Sequence, residues 1–126
     1  MAGQLTIDTL RAGSGVLATQ NGMTGIAKAW VSFVGSTAAI RGSYNVSSIT
    51  RSSAGNYTVN FTTAMPDANY SCVASATQTS NGSVYLFINT GGAPTTSSCF
   101  VFMTQSGSGT GSQVDASIVN VSISGN

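Results

Sequence analysis

The chain has no histidine, and charged residues make up only 6% of its 126 positions, where about 25% is ordinary for a soluble domain. That shortage excludes much chemistry. A serine nucleophile needs a base, and without histidine the remaining candidate is Lys28, which lies beside Trp30 with no local serine motif. Glycoside hydrolysis needs two carboxylates about 5–9.5 Å apart, and Asp8, Asp67 and Asp115 sit in separate segments with no pattern that makes them converge. Cys72 and Cys99 without a histidine make no zinc set. Lys28, Arg11, Arg41 and Arg51 are too scattered to neutralise a run of phosphates or to form a membrane-surface patch. No apolar run approaches the roughly 18 residues of a membrane-spanning helix. The N-terminus has neither a basic n-region nor an apolar h-region, so synthesis in a cytoplasm is expected. The composition therefore predicts a non-enzymatic chain without metal or cofactor, without nucleic acid as a partner, and without membrane insertion.

Serine, threonine, asparagine and glycine occupy the places that lysine and glutamate usually take, while the hydrophobic share is 41%. Length and hydrophobicity together suffice for one folded domain with a real core. Period-two alternation dominates: Tyr57, Val59 and Phe61 fall on one face, Thr58, Asn60 and Thr62 on the other. Similar patterns predict strands over 26–34, 44–51, 56–63, 70–77, 84–89, 99–105 and 114–123, the last with a bulge at Ile118-Val119. The strand at 26–34 mixes apolar residues on both faces and is expected to be covered on both. Turn signals separate the runs at Ser53–Asn56, Pro66-Asp67, Asn81-Gly82 and Gly91–Pro94. The glycine-serine stretch from Ser106 to Ser112 reads as a loop, since no helix pattern or lysine follows to make it a phosphate cradle. These features predict an all-β fold, an antiparallel β-sandwich over 26–126, preceded by a docking segment over 1–25 that cannot build a core alone.

Binding residues are sought where polar loops meet strands. Aromatic rings that stack on sugars are one route to recognition, with Tyr44, Tyr85 and Trp30 as candidates; Trp30 is expected in the core instead. Tyr85 stands beside the Asn81-Gly82 tip and out of phase with Leu86, which makes Asn81 and Tyr85 candidate receptor contacts with Tyr44. Loops 78–83, 90–98 and 105–113 are the expected contact surfaces. Six Asn-x-Ser/Thr sequons, from Asn45 to Asn120, follow from composition alone. The two cysteines, both in apolar stretches, read as reduced core thiols, with a mutual disulfide as the alternative.

One continuous stretch goes further. Ala27-Lys28-Ala29-Trp30-Val31-Ser32-Phe33 is followed by Tyr44-Asn45-Val46-Ser47-Ser48-Ile49-Thr50, then by Gly55-Asn56-Tyr57-Thr58-Val59-Asn60-Phe61 and Thr63-Ala64-Met65-Pro66-Asp67-Ala68-Asn69-Tyr70. This resembles a pattern in C-terminal domains of tailed-bacteriophage fibre and appendage proteins, over about two fifths of the chain. The resemblance implies a small β-rich virion domain, usually a homotrimer, with no catalysis and no cofactor, and it carries no binding-residue motif. A low charge suits such trimers independently, because hydroxyl-rich strands can be buried together without desolvating ions. The expected function is a short fibre or knob, made in the host cytoplasm and placed on the virion. Residues 1–25 would bind other virion proteins, and the loops a host surface glycan or protein. The alternatives are a capsid decoration or head-fibre protein and a lectin-like carbohydrate-binding module. At this length the chain is too short for both an adaptor and a long shaft.

Overall fold

The computed structural model describes residues 26–77, 83–88, 92–106 and 112–125. Its strands are β1 (Ala27–Val34), β2 (Ala39–Tyr44), β3 (Val46–Ser53), β4 (Asn56–Phe61), β5 (Ser71–Thr77), β6 (Ser83–Ile88), β7 (Ser98–Ser106), β8 (Ser112–Gln113) and β9 (Ile118–Ser124). Among the described residues there is no helix. The strands form two antiparallel sheets. The first is ordered β2-β1-β9-β5, and the second β3-β4-β7-β6, with β8 also paired to β7. Here β8 takes over the flank of β7 where β4 stops: Asn56 pairs with Phe102, and Gln113 with Thr104.

The core lies between the sheets and follows directly from alternation. Ala29, Val31 and Phe33 of β1 and Val119, Val121 and Ile123 of β9 are buried from one side. Tyr57, Val59 and Phe61 of β4 and Cys99 and Val101 of β7 meet them from the other. Phe33 and Tyr57 close the interface edge to face, with ring centroids 5.1 Å apart, an arrangement worth about 0.5–1.5 kcal/mol beyond burial.

Two backbone devices shape the sandwich. Asn45 alone separates β2 from β3, and its φ of 54° turns the chain out of the first sheet and into the second. Its Nδ2 donates to the Lys28 and Thr63 carbonyls at 3.2 and 3.1 Å, while the Thr63 N–H donates to its Oδ1 at 2.8 Å. Asparagine suits the post because it tolerates the left-handed region and brings both a donor and an acceptor. Gly35 serves where segments crowd: a Cβ there would stand 2.7 Å from the Tyr57 hydroxyl and tighter still against the Ala116 carbonyl.

Several local expectations are revised. Tyr44–Arg51 is two strands, not one, because the Asn45 kink falls inside it. The ladder of β9 is regular from Ile118 onward, and its bulge is on the partner strand, where Ala27 and Ala29 pair with adjacent Ser124 and Ile123. Lys28 is the extra residue there and is fully buried. No buried side-chain nitrogen or oxygen among the described residues lacks a hydrogen-bond partner. Finally, β1 is not covered on both faces, since Trp30 is 43% exposed.

Candidate functional site

The outer face of the first sheet presents an aromatic shelf and a cleft. Antiparallel partners share a face, so register defines the surface. One row runs Tyr44, Trp30, Ser122, Val73 across β2, β1, β9 and β5; the next runs Gly42, Ser32, Asn120, Ser75. No charged side chain stands at any of these positions. The six-membered end of the Trp30 indole lies over Gly42, its Cη2 and Cζ3 at 3.5 Å from where a Cβ would be. Glycine on the neighbouring strand thus lets the ring lie down on the sheet. Between Trp30 and Val73 opens a cleft of about 270 Å³, edged by Ser32, Ser75, Asn120 and Ser122.

The chemistry of this surface is that of a neutral ligand. An exposed indole offers a flat apolar surface with a negative face, which attracts polarised C–H groups. The serine hydroxyls each donate and accept, and the Asn120 amide does both at once. Val73, 65% exposed, widens the apolar floor. A pyranose has this complementary make-up, with C–H groups on one face and hydroxyls around its rim.

A second cluster, Arg51, Tyr57 and Asp115, is consumed by structure. Arg51 donates from Nε to Asp115 Oδ1 at 3.0 Å and from Nη2 to Oδ2 at 2.6 Å. The Tyr57 hydroxyl and the Gly55 N–H both donate to Oδ1, at 2.7 and 3.1 Å. The Arg51 contact, helped by Tyr57 and Gly55, holds the Asp115 carboxyl down at about 2. Burial, and then the bond to Asp115, pushes the Tyr57 phenol up. The three groups pin the β3–β4 turn to the segment that leads into β9.

The candidate contacts divide unevenly. Asn81 lies outside the described residues, as do most of loops 78–83 and 105–113, and of Tyr85 only the backbone, in β6, is described. Tyr44 is half-buried and is the cross-strand neighbour of Trp30. Because β6 belongs to the second sheet and β2 to the first, Tyr85 and Tyr44 are carried by different sheets. Sequence reasoning placed Trp30 in the core, and this is corrected: the residue shares its phase with Ser32, opposite Ala29, Val31 and Phe33. That phase was the available signal. Val73 likewise shares the exposed phase of β5 with Ser71 and Ser75, opposite half-buried Cys72 and Ala74. Comparison with protein-family models, with curated proteins and with solved structures finds no match to this chain.

Proposed function

We propose that the chain is a non-enzymatic structural protein of a tailed-bacteriophage virion, a short fibre or knob that assembles as a homotrimer and binds the host surface. The observation that carries this reading is the residue pattern from Ala27 to Tyr70, which resembles phage appendage domains. In the fold that stretch runs from β1 and β2 of the first sheet through the Asn45 corner to β3 and β4 of the second and the connection after them. Several of its distinctive residues are structural pins: Lys28 in the bulge, Asn45 at the corner, Tyr57 in the core and Tyr70 bonded to the turn before β7. The buried residues of the pattern therefore speak for architecture, and recognition falls to its exposed residues, Trp30 foremost, and to the rest of the chain.

The shelf at Trp30 favours a neutral glycan as the host ligand, which brings the appendage and lectin-like readings together. Residues 1–25 are the proposed attachment to other virion proteins. Competition with the parent phage for host cells tests the proposal. Purified chain is expected to block adsorption, and the Trp30→Ala variant to lose that effect while melting within a few degrees of the parent. If Asn81→Ala or Tyr85→Ala removes competition and Trp30→Ala does not, the loops are the contact. Antibody against the chain, labelled with gold, is expected at a fibre tip on intact particles. Uniform labelling of the capsid, with no competition, would replace this reading with decoration.

A further inference from the structure

Cys72 and Cys99 are free thiols in the structure, and their sulfurs lie 3.7 Å apart. They belong to different sheets. Cys72 is on β5, an edge strand held on one side by β9, and Cys99 is on β7, inside the second sheet between β4 and β6. A disulfide needs about 2.05 Å between sulfurs, so each sulfur must move by only about 0.8 Å to reach bonding distance.

The backbone around the pair is already tied. The Tyr70 hydroxyl donates to the Ser98 and Thr95 carbonyls at 2.8 and 3.0 Å, which links the residue two before Cys72 to the residue just before Cys99. A tight turn precedes β7: the Thr95 N–H donates to the Ser98 carbonyl, and the Ser98 N–H to Thr95 Oγ1, both at 3.0 Å. The thiols thus face each other across a junction that is fixed on both sides. Such placement exceeds what two small core hydrophobes require.

We propose that Cys72 and Cys99 form an inter-sheet disulfide in the folded chain once it leaves a reducing compartment, with a small-molecule disulfide such as glutathione disulfide as oxidant. The order of events follows from exposure. Cys72 is half-buried and Cys99 is 1% exposed. The contact with Cys99 pulls the Cys72 thiol down, while the same contact, together with burial, pushes Cys99 up. The Cys72 thiolate attacks glutathione disulfide, forming a mixed disulfide and releasing one glutathione thiolate. That thiolate, or water, takes the Cys99 proton, and Cys99 Sγ attacks Cys72 Sγ and expels the second glutathione. Two cysteine thiols are oxidised, and one glutathione disulfide is reduced to two thiols. Burial of Cys99, which disfavours its thiolate, slows the closing step. The chain would remain reduced during synthesis and assembly and lock afterwards. The bond fastens β5 of the first sheet to β7 of the second.

The test uses the intact, folded, reduced chain. It is incubated with glutathione disulfide, alkylated in denaturant and weighed, then cut with chymotrypsin, whose sites at Tyr85 and Phe87 separate the two cysteines. The expected product is a chain with no covalent link to another, lighter by about 2 Da than the reduced form, blocked to alkylation, with the two peptides joined. Its melting temperature is expected to rise by about 10 °C. In the Cys99→Ala variant a stable glutathione adduct on Cys72 is expected; in Cys72→Ala, Cys99 should react at least tenfold more slowly than Cys72 does in the other variant. Two alkylatable thiols after exhaustive oxidation would overturn the proposal. So would a lasting mixed disulfide on Cys72 in the parent chain, a bond between chains, or a bond that forms only in denaturant.

Discussion

Asp115 gathers four hydrogen bonds from Arg51, Tyr57 and Gly55, and at the scale of single residues it sets the acid behaviour of the domain. Its carboxyl ionises at about 2 in the folded chain, against 3.8 as the ordinary value. The folded state holds that proton less tightly than the unfolded state does, so the contribution is complete well above 3.8 and is lost as pH falls through about 2. Solvent reaches the pair, so it stabilises by less than the shift alone would imply. Asp115→Asn is therefore expected to melt several degrees lower at pH 7, and the gap to the parent should close in melts taken down towards pH 2. A gap independent of pH would show that Asp115 contributes shape and not charge. Asn45 is the second decisive residue, because it holds both a left-handed backbone and bonds to Lys28 and Thr63. Asn45→Ala should cost about 2–4 kcal/mol, combining lost hydrogen bonds with backbone strain. Asn45→Gly relieves the strain alone and should recover about 1 kcal/mol of that in denaturant unfolding. Equal losses in the two variants would rule out the strain component.

Strands depend on their ties as well as their ladders, and β5 shows this among the elements. Among the described residues it pairs only with β9, and it turns Val73 to solvent, yet its start is fastened to the second sheet by Tyr70, whose hydroxyl reaches the Thr95 and Ser98 carbonyls and whose ring meets Phe61 at 5.7 Å. Tyr70→Phe keeps the ring contact and removes the hydroxyl, so a loss of about 1–2 kcal/mol is expected. The same variant should close the Cys72–Cys99 bond more slowly, because the junction it loosens is what aligns the sulfurs. An unchanged oxidation rate would mean the sheets alone hold the alignment. Elements of this kind were legible in the sequence where one face is apolar and the other polar. The alternation of β4 was read as it stands in the structure, and β1 and β5 were found near their observed limits. By contrast, β2 carries Arg41, Gly42 and Ser43 with little burial on either face, so no period marks it. The corner at Asn45 was hidden inside an apparently continuous run, because a left-handed residue leaves no trace in hydrophobic phase. Little of the cleft was legible. Trp30 was assigned by its residue type when its phase with Ser32 pointed outward, and no local signal brings Ser122 or Val73 beside it, since that is set by the pairing of β1, β9 and β5.

For the molecule as a whole, the scarcity of charge matters most in assembly. With a formal charge of +1 there is little repulsion between copies, and any interface between them forms without stripping water from many ions. A homotrimer built on such surfaces should sediment at three times the 12.7 kDa chain mass. It should also hold that mass from about 0.05 to 1 M sodium chloride, because screening weakens ion pairs and leaves apolar and hydroxyl contacts standing. A monomer throughout would remove the fibre-type trimer and leave decoration or a lectin-like module. Which face assembles can be read in the same samples, since Trp30 is the chain's only tryptophan and lies on the outer face of the first sheet. If that face meets the host, its emission stays that of a solvated indole in the trimer, and iodide quenches it as fully as in diluted monomer. A blue shift and loss of quenching on association would instead bury the shelf between protomers. In that case the Trp30→Ala variant would lower the assembly state before it touched adsorption, and recognition would pass to the loops at the far ends of the strands.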